Sequence, residues 1–340
     1  MKNTLLSSLL LLLLASCMQQ TSTNSISEET KTESDSTSLF ITSIDSLSTL
    51  INTDSLNAAL YFERAELYLR NKSLSPGAND LLKAVQLDST NALYWQQLGT
   101  LHYAMKNSRY AKNSWEQCAQ LDSRNIDCRL SLAEIYLAVG ELKKGQEKID
   151  QVLSFDSKNA DALYLSGNYA LMEADTIKAL KYIQASINQK QDFFKAYDLM
   201  GVLYSEKGDV LALDYFNSAL RLRPDRYDIH YKVGMFYQNI GAYDEAILAY
   251  NRALTVNPQH KISLHNIAVL NVFTKQYQTA VETFSKAIAI DDMYLEAYFG
   301  RAYTFELLGE IENSESDYRT ALMLDPSYDP AMKGIERIGK

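Results

Sequence analysis

From about residue 58 onward, apolar and small positions recur with two nested periods. Within runs of about a dozen residues, apolar side chains fall three and four apart, which predicts amphipathic helices. The whole pattern then returns after 34 residues. Small residues mark the period best. Ala65, Gly99, Ala133, Gly167 and Gly201 are 34 apart, Gly234 follows after 33, and Ala268 and Ala302 complete the column. A second small column reads Gly77, Ala111, Gly145, Ala179, Ala212, Ala246, Ala280 and Ser314, and a third runs from Ala84 through Cys118 to Ala321. Between these two stand large side chains: Leu81, Trp115, Ile149, Ile183, Phe216, Tyr250, Phe284 and Tyr318. Small beside large at fixed offsets predicts eight helical hairpins over residues 58–328, each with two helices in close approach. One such hairpin cannot bury its apolar face alone and is stabilised by stacking on its neighbours.

The tetrads DSLN at 54, DSTN at 88, DSRN at 122 and DSKN at 156 share this period. A calcium loop would need about six oxygens from alternating positions of one loop, and these tetrads lie a full repeat apart. Pro224, Pro258 and Pro326 occupy the column of Ser89, Ser123 and Ser157. The tetrads therefore read as helix punctuation, with Asp, Ser and Asn bonding local backbone and capping the next helix. On the flanks, Phe40, Ile44, Leu47 and Ile51 share one helical face within residues 39–57, an N-terminal capping helix. Residues 329–340 place Met332, Ile335 and Ile338 on one side of a C-terminal capping helix.

The register, with GAYDEAILAYNRALTVNP at 241–258, resembles the tetratricopeptide repeat family, most closely in repeats six to eight. That resemblance implies an all-α, right-handed superhelical solenoid of about eight helix hairpins. Arg129, Ala170 and Asn271 stand where the family has bulky apolar residues, so repeats three, four and seven are expected to be looser. In the family, fixed positions of each first helix line a concave groove that binds protein segments. Carried onto this chain, the partner-binding positions include Phe62, Tyr103, Asp127, Glu134, Asp161, Tyr164, Asn168, Asp198, Tyr231, Gln238, Phe299 and Tyr303. Across the wider groove set nine acids (Glu66, Asp127, Glu134, Asp161, Asp198, Glu206, Asp228, Glu296, Glu306) face two bases, Arg70 and Lys195. The Lys, Asn and Arg set with which some members clamp a C-terminal carboxylate is missing. An acidic groove with Tyr and Phe suits an extended segment carrying Lys or Arg. The alternative is that these aromatics pack on neighbouring helices and the acids only solubilise the surface.

At the N-terminus, Leu5 to Ala15 is an apolar run too short to span a bilayer, which needs about 20 residues, and it matches the core of a secretory signal. Leu14-Ala15-Ser16-Cys17 resembles the lipobox of bacterial lipoproteins. The resemblance implies a cleaved signal peptide over 1–16, lipidation of Cys17 and a stable membrane anchor. Met18 in place of Asp implies the outer membrane, and the lack of an acidic run directly after Cys17 implies its periplasmic face. Residues 17–38, the lipidated Cys and a Ser/Thr-rich stretch, bury too little to fold and are expected to be a flexible tether. The net charge of −9 argues against nucleic acid, whose phosphates require a positive surface.

No His-Glu-x-x-His or Cys-x-x-Cys pattern, Gly-x-Ser-x-Gly elbow or phosphate loop is present, so neither a metal site, a cofactor nor a catalytic residue is expected. Cys118 and Cys128 fall on helices predicted to stack. A disulfide between them suits an exported chain, and two small space-filling side chains fit the same positions. The expected role is a membrane-anchored, non-catalytic protein-interaction scaffold in envelope assembly or secretion, with protein partners and no small-molecule substrate. The rivals are an accessory subunit of a cell-wall or polysaccharide-processing enzyme, and a structural spacer using its convex faces.

Overall fold

The computed structural model describes residues 42–339, which form eighteen α-helices with no strand among the described residues. The signal peptide, Cys17, the tether and Phe40 lie outside the described residues. The chain divides after Gln189 into two compact units.

In the first unit a lone helix α1 (42–53) precedes four hairpins. These pair α2 (Ala58–Arg70) with α3 (Leu74–Leu87), α4 (Ala92–Ala104) with α5 (Ser108–Leu121), α6 (Ile126–Ala138) with α7 (Leu142–Phe155), and α8 (Ala160–Met172) with α9 (Thr176–Gln189). The second unit has four more. They pair α10 (Phe194–Ser205) with α11 (Leu211–Leu222), α12 (Tyr227–Asn239) with α13 (Tyr243–Val256), α14 (Lys261–Phe273) with α15 (Tyr277–Ile290), and α16 (Leu295–Leu308) with α17 (Ile311–Leu324). A last helix α18 (Asp329–Ile338) closes it. Hairpins 1 to 8 are these pairs in chain order.

The small and large columns explain the packing inside each hairpin. Leu81, Ile149, Ile183, Tyr250 and Tyr318 are fully buried, and Trp115, Phe216 and Phe284 nearly so. Burying a side chain of this size contributes roughly 1.5–3 kcal/mol. Each needs a small residue opposite. A Cβ on Gly234 would come within 2.5 Å of the Tyr250 ring, a separation real Cβ atoms do not tolerate.

Every hairpin turns the same way. At the end of each first helix one residue takes a left-handed conformation, at Lys72, Lys106, Gly140, Ala174, Gly208, Gly241, Lys275 and Gly309, with φ between 59° and 79°. The next amide N–H donates back to the carbonyl five residues earlier, as from Ser73 to Tyr68 and from Glu310 to Phe305. This closes the helix end and satisfies an otherwise orphaned carbonyl.

Arg129, Ala170 and Asn271, the departures in repeats three, four and seven, are all buried. Arg129 is buried, and its guanidinium donates to Gln151 Oε1 and to the carbonyls of Asp122, Asn125 and Ala119. Its neighbours in the column do similar work: Tyr61 Oη donates to the Ser55 carbonyl and Trp95 Nε1 to that of Ser89. Tyr61, Trp95 and Arg129 thus each reach the turn before their own hairpin, whereas Leu163 and Leu264 fill the same position with apolar side chains. Beside buried Ala170, Tyr169 fills the space and donates to the Ala133 carbonyl at 2.6 Å. Asn271 is buried as well.

The first and last hairpins share a polar device that the middle six lack. Arg64 forks onto Asp80 through Nε and Nη2, both at 2.7 Å, and its Nη1 donates to Ser48 on α1. Arg301 forks onto Asp317 and reaches Ser285 in the same way. Ser48 thus holds the register position of Ser285, so α1 packs on α2 as a second helix does on the hairpin that follows it.

Candidate functional site

The expected groove residues sit on the first helices α2, α4, α6 and α8 of one unit and α10, α12 and α16 of the other. Gln96 shows how consecutive first helices are joined along this face. Its Nε2 donates to Asp127 Oδ2 at 3.0 Å, while its Oε1 accepts from Asn125 Nδ2 at 2.9 Å. Tyr103, Asp127, Glu134 and Asp161 are exposed in the first unit, and Tyr303 in the second. Tyr103 is 47% exposed and lies against Trp115 with ring centroids 5.6 Å apart.

Other expected contacts are used internally. Asn168 is buried and donates to the Tyr164 carbonyl. Asp198 is buried and takes Lys232 Nζ on both oxygens, at 2.6 and 2.8 Å. Burial holds the Asp198 carboxyl above its ordinary range, against the pull of Lys232. Neither residue is presented on the surface as a partner site requires. Phe62 packs on Tyr94, Tyr231 on Tyr250 and His260, and Phe299 on Tyr318 and Tyr328. Gln238 Oε1 accepts from the Tyr250 hydroxyl. All of these four are half-buried, so the aromatic lining expected in the second unit is largely groove floor.

The acid excess is also smaller than the residue tally implies. Asp228 takes a two-pronged bond from Arg226, with Lys232 at 3.8 Å. Glu306 takes the Arg337 fork and the Tyr318 hydroxyl. These pairings hold the Asp228 and Glu306 carboxyls below the ordinary range despite their burial. Lys232, Arg226 and Arg337 lie outside the positions carried over from the family, so the tally missed them.

The residue that opens each hairpin decides what happens at the groove floor. In the first unit Asn57, Asn91, Asn125 and Asn159 cap α2, α4, α6 and α8, accepting from the N–H of Ala59, Leu93, Cys128 and Ala162. In the second unit that column reads Phe193, Arg226, His260, Tyr294 and Tyr328, none of which makes a side-chain cap bond. There the side chain packs backward instead, Tyr294 on His265 and Tyr328 on Phe299. The change from Asn to aromatic was visible in the sequence as soon as the column was aligned.

Cys118 and Cys128, both fully buried, are joined by a disulfide with their Cα atoms 6.3 Å apart. It staples hairpin 2 to hairpin 3. Among the described residues no group of three or more His, Cys, Asp or Glu is placed to hold a metal ion, and no helix is long and apolar enough to cross a membrane.

Residues 227–260, 263–292 and 295–328, which are hairpins 6 to 8, match the family model of the tetratricopeptide repeat. Hairpins 6 to 8 are therefore tetratricopeptide repeats. Among curated proteins it is similar to anaphase-promoting complex subunit 3 of Schizosaccharomyces pombe, 27% identical over 138 residues, or 40% of this chain and 21% of that one. It is also similar to RNA polymerase II-associated protein 3 of Xenopus tropicalis, 30% identical over 107 residues, 32% of this chain and 16% of the relative. The chain thus spans about a fifth or less of these relatives' length. Among solved structures, the C-terminal part of a repeat protein from Cytophaga hutchinsonii has a TM-score of 0.59 at 17% identity, covering 70% of this chain and 98% of that one. A chain of the Cut9–Hcn1 hetero-tetramer of the APC/C gives 0.51 at 14% identity, covering 87% and 58%. These likenesses establish the fold: an all-helical tetratricopeptide-repeat solenoid.

Proposed function

We propose that this protein is a membrane-anchored, non-catalytic adaptor whose first-helix groove holds a protein segment rich in Lys or Arg. Tetratricopeptide repeats are protein-interaction modules, and the comparisons support that coarser role. The observation that carries the finer reading is the run of exposed groove side chains in the first unit: Tyr103, then Asp127 and Glu134, then Asp161, on three successive first helices. Exposed aromatics bring large contact area at low entropy cost, and acids select basic partners.

Anchoring rests on the lipobox-like Leu14-Ala15-Ser16-Cys17. The Cys118–Cys128 bond supports an exported chain, because disulfides persist in oxidising compartments. Met18 after Cys17 supports the outer membrane, and the uncharged stretch that follows supports its periplasmic face. Envelope assembly or secretion is the proposed setting.

Two measurements test this. Full-length protein and a Cys17→Ser variant are fractionated after growth with labelled palmitate. Label and membrane retention lost in the variant support the anchor; retention unchanged without label rejects it. Crosslinked capture from the same membranes then compares wild type with a Tyr103→Ala, Asp127→Asn, Asp161→Asn variant. A partner lost only in the variant supports groove binding. Partners indifferent to it favour the spacer reading, in which other faces make the contacts.

A further inference from the structure

The first unit carries a cationic edge on a chain whose net charge is −9. It lies at the intra-hairpin turns of hairpins 1 to 3. Residues 71–79, 105–113 and 139–147 hold six bases, Lys72, Lys106, Arg109, Lys112, Lys143 and Lys144, against Glu141 and Glu147. The same windows of hairpins 6 to 8, residues 240–248, 274–282 and 308–316, hold Lys275 against six acids. The repeat pattern therefore does not impose the positive charge. Nor is it general to the first unit, whose opposite, inter-hairpin edge carries Asp54, Asp88, Asp122 and Asp156 against Arg124 and Lys158.

Internal pairing leaves most of this charge free. Lys144 takes Glu141 at 2.5 Å, and half-buried Lys112 reaches Glu116 at 3.6 Å. Lys72, Lys106, Arg109 and Lys143 are exposed and form no ion pair among the described residues. The edge is continuous between hairpins 2 and 3, since Lys112 and Lys144 each lie 5.8 Å over the Tyr136 ring. Lys72 and Lys106 hold the same left-handed turn position in hairpins 1 and 2, with φ of 59° and 62°. Gly fills that position in hairpins 3, 5, 6 and 8. A Lys there adds backbone strain and, being exposed, contributes no packing.

Such an edge fits a broad anionic surface. Five of the six bases are Lys, whose ammonium is a compact point charge, whereas Arg forks select a single carboxylate or phosphate. Tyr110 and Val139 stand among them, 61% and 62% exposed, and Tyr beside Lys is a combination that lipid headgroups favour. The first unit is also the one that follows Cys17, the proposed anchor, along the chain. A basic patch near an acyl anchor strengthens membrane attachment. We infer that the intra-hairpin edge of hairpins 1 to 3 lies against an anionic phospholipid surface, as a second contact beside the lipid of Cys17. The choice of a bilayer rests on the anchored reading; the charge of the edge does not.

The test uses the full chain as a Cys17→Ser variant, which carries no lipid, so its outcome does not depend on whether the anchor forms. Sedimentation measures binding to vesicles of phosphatidylcholine alone and of an equimolar mixture with phosphatidylglycerol. The leader is the same in every variant, and the neutral vesicles report what it contributes. Binding to the anionic vesicles is expected to be at least about tenfold stronger and to weaken with salt. Adding Lys72→Gln, Lys106→Gln and Arg109→Gln should lower it at least about tenfold. A control with Arg221→Gln, Lys286→Gln and Lys333→Gln removes the same charge from exposed positions of the second unit and should lower it far less. Circular dichroism confirms that each variant is folded. Equal binding by the edge variant and its parent overturns the proposal, as does an equal loss in the edge variant and the control. Polyglutamate that binds the parent but not the edge variant, with no preference for anionic vesicles, would assign the edge to an acidic protein segment and reject the bilayer.

Discussion

The two units turn the same corner with different chemistry. Each passage from one hairpin to the next in the first unit is fixed by hydrogen bonds. An Asn side chain caps the new helix, and in the tetrads at 88 and 122 the Asp accepts from the N–H two residues on, at Thr90 and Arg124. The second unit keeps the turn bond, with Asn257, Asp291 and Asp325 accepting from the N–H of Gln259, Met293 and Ser327, but at the cap position an aromatic or cationic residue packs on the preceding hairpin. His260 sits between Tyr227 and Tyr231, with centroid distances of 4.9 and 5.1 Å, and Arg226 lies 4.6 Å over Phe194. An Asn cap is short and leaves the groove floor beside it open. An aromatic cap spreads over that floor. The same backbone course is thus compatible with more exposed groove side chains in one unit and more buried ones in the other.

The largest expected effect tests what the units share. Arg301→Met leaves Asp317 buried without its partner and should cost the second unit about 3 kcal/mol. The Arg301→Met, Asp317→Leu double variant should recover most of it. Urea denaturation followed by hydrogen exchange in each unit measures both, and equal losses in the single and double variants would show that the pair is not coupled. Next comes a difference between units. Cys118→Ala with Cys128→Ala opens a ten-residue link and should destabilise the first unit by about 2–3 kcal/mol, with exchange in the second unit unchanged. Smaller again, Asn125→Ala or Asn159→Ala should cost the first unit about 1 kcal/mol. Ala at Tyr294 should instead increase the accessibility of His265, read by its NMR titration.

Acid separates the units further. Burial lowers the pKa of His102 in the first unit and of His230, His260 and His265 in the second. A histidine held neutral in the folded state binds fewer protons than in the unfolded chain, whose value is about 6.5. Stability is therefore full above that value and lost as pH falls below it. With three such residues against one, lowering the pH below about 6.5 should cost the second unit more than the first, partly offset by Asp198 and Glu206, whose raised values act the other way; differential scanning calorimetry with unit-resolved exchange would detect it. The smallest effect is a gain. Ala174 and Lys275 hold φ of 60° and 61°, so Ala174→Gly or Lys275→Gly should each stabilise its unit by about 0.5–1 kcal/mol.

Most of the fold was legible because a repeat states its own rules several times. Eight copies of the small and large columns distinguish a packing requirement from chance, and Asn91 and Asn125 identify themselves as caps by recurring. Single-copy features were less legible. Arg129 looked like a defect because its column had been read for size, whereas its guanidinium reaches carbonyls of the preceding turn as Tyr61 and Trp95 do. The groove was the least legible. Its residues were placed on the right helices, yet whether Asp198 faces solvent or Lys232 depends on a side chain 34 residues away. Positions transferred from a family carry no information about such partners.

The most direct test of the account places a photo-crosslinking residue at Tyr103 or Asp127 in the groove, and at exposed Gln117 on the second helix of hairpin 2 as a control, in the full-length chain in its own membranes. The account predicts a discrete protein adduct from the two groove positions and none from the control. Adducts from Gln117 alone, or equally from all three, would contradict a groove that selects its partner.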